Sequence, residues 1–225
     1  MDMAYNDVLK RLKHERQRLS LTQREMSRLA RMSQSNYSKI ELGNRRLSYY
    51  ELKYLCDSDI DLYYVFTGRR CSEKYNEVFF DHSYPELVCF LNIVSSVAEL
   101  RFVNEEGNAQ RAEPARPGSF RLPDREHRMD RNVFLDLRQT LDLSQSGMAS
   151  RLGVDVKKLR ALENGRRLPD SELLCKLYQL FCISPAVVLK DKKGLISEIG
   201  LLLESMDDET GEDVFQFVMS LRRIS

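Results

Sequence analysis

Two stretches of this chain carry nearly the same message. Residues 19–47 read LSLTQREMSRLARMSQSNYSKIELGNRRL, and residues 141–168 read LDLSQSGMASRLGVDVKKLRALENGRRL. At an offset of 122 positions they align without a gap. Leu19 falls on Leu141, Leu21 on Leu143, Gln23 on Gln145 and Met26 on Met148. Further on, Ile40 falls on Leu162, Glu41 on Glu163 and Gly43 on Gly165, while upstream Arg16 falls on Arg138. A repeat this long is two copies of one supersecondary unit. The fold therefore has to accommodate that unit twice, and function follows from what the unit does.

Charge repeats with the sequence. Residues 1–70 carry 14 Lys and Arg against 9 Asp and Glu, and residues 129–190 carry 10 against 7. The stretches that follow are acidic, with 2 against 5 over 71–103 and 4 against 8 over 191–225. Two basic modules suit a polyanionic partner, although an excess this small is also compatible with ordinary surface variation. The 31% of charged residues and the absence of Trp fit a soluble helical chain. No apolar run approaches the roughly 18 residues of a membrane span, so no membrane association is expected. The start MDMAYNDVLKRLK has no apolar signal-peptide stretch. Cys56, Cys71, Cys89, Cys175 and Cys182 form no CxxC pair, so reduced thiols in a cytoplasm are expected.

The residue pattern predicts five short helices per copy. In the first, Val8, Leu9 and Leu12 share one side of Asp7–Arg18. Thr22 with Glu25 makes a capping box for a second helix, and Ser33 caps a third that runs to Leu42. Gly43 stands at its C-terminal stop. Ser48 caps a fourth helix, Tyr49–Asp57, and Asp61–Phe66 makes a fifth. In the second copy the counterparts are Asn132–Thr140, Gln145–Leu152, Val156–Asn164, Ser171–Phe181 and Pro185–Leu189, with Ser144, Asp155 and Asp170 as caps. Second and third helices joined by three or four residues form a helix-turn-helix. Apolar helices are appended to each copy, at Tyr84–Phe102 and Glu212–Arg223, with an extra one at Leu195–Met206. The domain reading is 1–70 and 129–190 for the modules, 71–103 and 191–225 for the appended helices, and 104–128 for a linker rich in Gly and Pro. Twenty-five such residues span roughly 25–30 Å.

Both modules resemble the lambda-repressor-like, Cro-type (XRE) helix-turn-helix family. The resemblance rests on Arg16, Leu21-Thr22-Gln23, Met26, Ser33, Ile40-Glu41 and Gly43, and on Arg138, Leu143-Ser144-Gln145, Met148-Ala149, Leu152-Gly153 and Leu162-Glu163-Asn164-Gly165. It covers about 60 residues per copy. It implies an all-α fold whose third helix enters the DNA major groove. Carried over by position, the base readers of the first copy are Gln34, Ser35 and Lys39, with Asn36 near the backbone. Gln23 would hold a phosphate at a helix start, and Asn44, Arg45 and Arg46 would touch the next ones. In the second copy the corresponding set is Gln145, Val156, Lys157 and Ala161, with Lys158, Arg160, Arg166 and Arg167 beside them. Val156 and Ala161 offer only a methyl contact to thymine, whereas the cations suit phosphate, so this copy is expected to discriminate less. The family pairs Arg16 with Glu41, and Arg138 with Glu163, to hold the reading helix. The first copy departs from the pattern in carrying Arg31 where the second has Gly153, and Ser27 where it has Ala149.

Nothing in the sequence supports catalysis or a cofactor. His14, His82 and His127 are isolated, no nucleophile set or phosphate loop is present, and the run Asp207–Asp213 reads as a solvated loop ending in a helix cap, not a metal site. A bare polar helix face is most often just solvated; its recurrence in this register is what favours DNA. The expected protein is a DNA-binding transcriptional regulator, a repressor acting in the cytoplasm on the nucleoid of a bacterium, phage or mobile element. Its partner is double-stranded DNA, and its modules pair within one chain or through the appended helices of a homodimer. The rival reading is an antitoxin-like or anti-repressor regulator whose second module binds protein. Neither reading specifies a small-molecule effector.

Overall fold

The computed structural model describes residues 3–72, 74–105 and 132–221, and among them every element is a helix. The first module comprises α1 (Met3–Arg18), α2 (Gln23–Leu29), α3 (Gln34–Glu41), α4 (Tyr49–Cys56) and α5 (Leu62–Thr67), followed by α6 (Lys74–Phe79) and α7 (Tyr84–Glu105). The second repeats the order with α8 (Val133–Thr140), α9 (Gln145–Leu152), α10 (Val156–Glu163), α11 (Ser171–Phe181) and α12 (Pro185–Leu189), then α13 (Lys192–Glu204) and α14 (Asp208–Leu221).

Local chemistry sets these boundaries. Thr22 accepts from the Glu25 backbone while the Glu25 carboxylate reaches back to the Thr22 N–H, and Ser48 with Glu51 does the same for α4. Ser33, Asp61, Ser144, Asp155 and Asp170 cap α3, α5, α9, α10 and α11 through single side-chain bonds. Each cap satisfies an N–H that the helix leaves unpaired, worth about 1 kcal/mol. The turn between α2 and α3 needs a left-handed residue. Gly153 supplies it in the second copy at φ 63°, and Arg31 in the first at φ 51°. A side chain in that conformation costs about 1–2 kcal/mol. The Arg31 guanidinium sits 4.2 Å over the Tyr54 ring, a contact of about 0.5–1 kcal/mol that offsets part of the strain.

Two elements depart from the sequence expectation. α6 has no predicted counterpart; among its described side chains Tyr75 and Phe79 turn inward, too few positions to show a period. It takes the place in the first half that α13 takes in the second, so the helix at Leu195–Met206 is not an extra one but half of a matched pair. The acidic run Asp207–Asp213 is not a loop. Asp207 accepts from the Thr210 N–H at 2.9 Å, and Asp208 onward forms the first turns of α14, where carboxylates favour the positive end of the helix dipole. The expected linker lies outside the described residues, except Asn104 and Glu105, which end α7.

Packing gives two cores. One runs through both modules, from Tyr5, Leu12, Leu55 and Phe66 to Phe134, Leu162, Leu174 and Leu189. The other joins the appended helices: Phe79, Leu87, Phe90 and Val94 of α6 and α7 meet Leu195, Ile199, Leu203, Val214 and Val218 of α13 and α14. Gly200 lets α13 lie directly against Cys71 and the Tyr75 ring, where any Cβ would collide. The modules are therefore parts of one packed body and not separate beads on a string.

Candidate nucleic-acid interface

The third helix of each module is held by an arginine from the first. Arg16 Nε donates to Glu41 Oε1 at 2.7 Å and Nη2 to Oε2 at 3.2 Å, while Nη1 reaches the Leu21 carbonyl at 2.8 Å. The same fork recurs at Arg138: Nε to Glu163 at 2.5 Å and Nη1 to the Leu143 carbonyl at 3.2 Å. One guanidinium thus ties the end of α1 or α8, the turn after it and the last residue of the reading helix. Burial pushes the Glu41 carboxyl up, but bonds from Arg16 and Gln23 outweigh it and hold it below the usual carboxylate range. The expected structural pairs are both formed.

Gln23 and Gln145 complete these clusters. Each donates an amide N–H to the carboxylate, at 2.7 Å to Glu41 and 2.8 Å to Glu163. Each therefore commits one of its two N–H groups to the clamp, and only the other is left for a phosphate.

With α3 fixed, its faces separate cleanly. Tyr37 and Ile40 are fully buried, whereas Gln34, Ser35 and Lys39 are exposed and Asn36 is half-buried. On α10, Leu159 and Leu162 face in, Lys157 and Arg160 are exposed, and Val156 packs half-buried against the core. Arg160 Nε donates to Gln145 Oε1 at 2.9 Å, and Lys158 Nζ lies 3.7 Å from Asp170.

The loops after the reading helices hold the main surprise. Arg45 and Arg46 follow α3 as an unbroken basic pair, yet both meet carboxylates. Arg45 forks onto Glu51 at 2.6 and 3.1 Å, and Arg46 pairs with Glu172 of the second module. In the second copy Arg166 and Arg167 are exposed and form no ion pair among the described residues; Arg167 matches Arg45, but the position matching Glu51 is Leu173. Asn44 is exposed. Exposed polar side chains of the third helix thus concentrate on the first module, and loop cations without an ion pair among the described residues on the second. Glu172 is not legible as a partner from sequence, because its charge sits 126 residues from Arg46 and no local pattern joins them.

Compared with known protein families, the chain matches the one described as a helix-turn-helix domain over residues 9–58 and again over residues 135–189. Both modules are helix-turn-helix domains. Such domains are those of DNA-binding regulators in general, and the two matched segments contain the clamps, the reading helices α3 and α10 and the loops after them. Helices α6, α7, α13 and α14 lie outside both matches. Comparison with curated proteins and with solved structures returned no match. Among the described residues, no helix is long and apolar enough to cross a membrane.

Proposed function

We propose that this chain is a sequence-specific regulator of transcription that lays α3 in the major groove of duplex DNA and represses by occluding the site. The observation that carries this reading is the exposed Gln34–Ser35–Lys39 face on a helix whose opposite face is buried and whose end is clamped by Arg16 and Glu41. A Gln amide bonds adenine N6 and N7, and a Lys ammonium reaches guanine O6 and N7. Asn36 and Asn44, with the remaining amide N–H of Gln23, fit the phosphates on either side. The second module supports the first through Lys157, Arg160, Arg166 and Arg167, with Val156 offering at most a thymine contact.

Affinity for duplex DNA should fall with salt at a log–log slope of about −0.9 for each phosphate neutralised. Gel-shift titration across a salt series measures this, and a slope near zero on the best site selected from random DNA would overturn the proposal. On that site, Gln34→Ala should erase discrimination at the contacted base, about 1–3 kcal/mol, while the affinity for unrelated DNA stays constant. Unchanged base preference would move the reading to another helix. If the first module binds DNA while Arg166→Ala and Arg167→Ala change nothing, the second module is better read as a protein-binding unit.

A further inference from the structure

We infer that the two modules are a built-in pair: one chain occupies one DNA site, at a spacing fixed by the protein, and the site is asymmetric. The inference rests on the DNA-binding reading above. It comes from how the modules meet. The joint is made mainly from the fourth and fifth helices of each module and the loop before the fourth, with α4 and α5 packing on α12 and the start of α11 seated on the Arg46–Leu47 loop, and α1 of the first module also packs on α11. Leu47 N–H donates to Ser171 Oγ at 3.1 Å, and Ser171 N–H returns a bond to the Leu47 carbonyl at 2.9 Å. The Tyr5 hydroxyl adds a third bond to Ser171 Oγ at 2.6 Å. Leu47, Ser171 and Tyr5 are all buried.

Around this centre lie Arg46 with Glu172, Lys53 Nζ on the Leu189 carbonyl at 2.7 Å, and Lys193 Nζ on the Ser58 carbonyl at 2.9 Å. Every one of these contacts crosses between the two halves of the chain.

Leu47 lies six residues past the end of α3 and Ser171 eight past the end of α10. The exits of the two reading helices are therefore bonded to each other, while the outward faces of both helices stay clear of the joint. Contacts through buried polar pairs and a shared core leave no freedom for the modules to slide apart along DNA. The linker between them then sets neither spacing nor orientation. A pair of this kind also differs from two identical subunits, because its readers differ. Gln34, Ser35 and Lys39 face one half-site, and Val156 and Lys157 the other. The preferred site should hold one half rich in sequence information and one half that is loosely specified and held through its phosphates.

The test uses the full chain and the site selected from random DNA. Titration should give one chain per duplex, the selected site should be non-palindromic, and inserting about five base pairs between its halves, half a helical turn, should remove protection of the weaker half. The loss of paired engagement should lower affinity on the order of 10²-fold. Glu172→Arg sets like charge against Arg46 without altering any residue assigned to DNA. It should reduce the insertion penalty while the stronger half stays protected, and Glu172→Gln should do so more weakly. Equal affinity with and without the insertion, two chains per site, or a palindromic site would overturn the built-in pair and leave the DNA reading intact. Absence of protection on any sequence would overturn the DNA reading itself.

Discussion

Replacing Glu41 with alanine should melt the whole chain in one lowered transition. The Glu41 carboxylate is only 5% exposed and accepts three bonds, two from Arg16 and one from Gln23. Without it the Arg16 guanidinium, itself 12% exposed, keeps only the Leu21 carbonyl. Removing one partner of a buried ion pair costs on the order of 3–5 kcal/mol, since the other charge stays desolvated. Whole domains are stable by about 5–15 kcal/mol, so this is a large fraction. The sequence alone predicts that the first module unfolds and the second survives, because a Gly- and Pro-rich stretch separates them. The shared core and the Leu47–Ser171 bonds predict otherwise: α5 also packs on α12 and α13, so loss of the first module strips apolar cover from the second. Calorimetry of the variant distinguishes the two. A second transition persisting at the wild-type temperature would show that the modules melt independently, and an unchanged profile would show that the pair contributes little. Glu163→Ala should behave alike, through Arg138.

Much of each module was legible because its rules are local. Thr22 with Glu25, Ser33 and Ser48 mark helix starts within four residues, and the gapless repeat sets the same boundaries twice. The clamp residues could be placed for the same reason, since Arg16 and Glu41 recur as Arg138 and Glu163 at constant spacing. What stayed hidden is long-range. Arg45 and Arg46 read as a basic run, and a run says nothing about which carboxylates lie across the fold. Glu51 lies six residues from Arg45, across a turn, and Glu172 lies in another module. The joint between modules was invisible for a related reason: Tyr5, Leu47 and Ser171 are a Tyr, a Leu and a Ser with nothing unusual around them in sequence. α6 is not legible because six residues, with Tyr75 and Phe79 inward among the described side chains, carry no periodicity. The acidic start of α14 reads as a loop on charge density alone, yet carboxylates such as Asp208 and Glu209 are favoured in a first helical turn by the helix dipole.

The appended helices carry the second large effect, at Glu198. This carboxyl lies on α13, completely buried, and bonds the Ser184 side chain, while its other oxygen has no hydrogen-bond partner. Tyr63 of α5 and Tyr178 of α11 lie close enough to feel its charge, which helps to hold both hydroxyls protonated, with Arg69 near both. Burial pushes the carboxyl up to about 7, and the Ser184 bond offsets only part of that. The direction of the pH effect follows. Below the ordinary glutamate value of 4.5 both folded and unfolded chains hold the proton, and Glu198 adds no pH dependence. Between 4.5 and about 7 the unfolded chain releases the proton and the folded one keeps it, so stability falls as pH rises. Above about 7 the full penalty is reached, on the order of 3 kcal/mol at 1.36 kcal/mol per pH step. Glu198→Gln keeps the shape and the acceptor for Ser184 but removes the ionisation. The variant should match the wild type near pH 4.5 and exceed it by about 2–3 kcal/mol at pH 8. Denaturant midpoints for both proteins across that range measure the difference, and subtraction cancels Asp191, whose carboxyl is also raised by burial. A difference that does not change with pH would mean that Glu198 ionises at its ordinary value, with water reaching the junction where α13 meets α5 and α12.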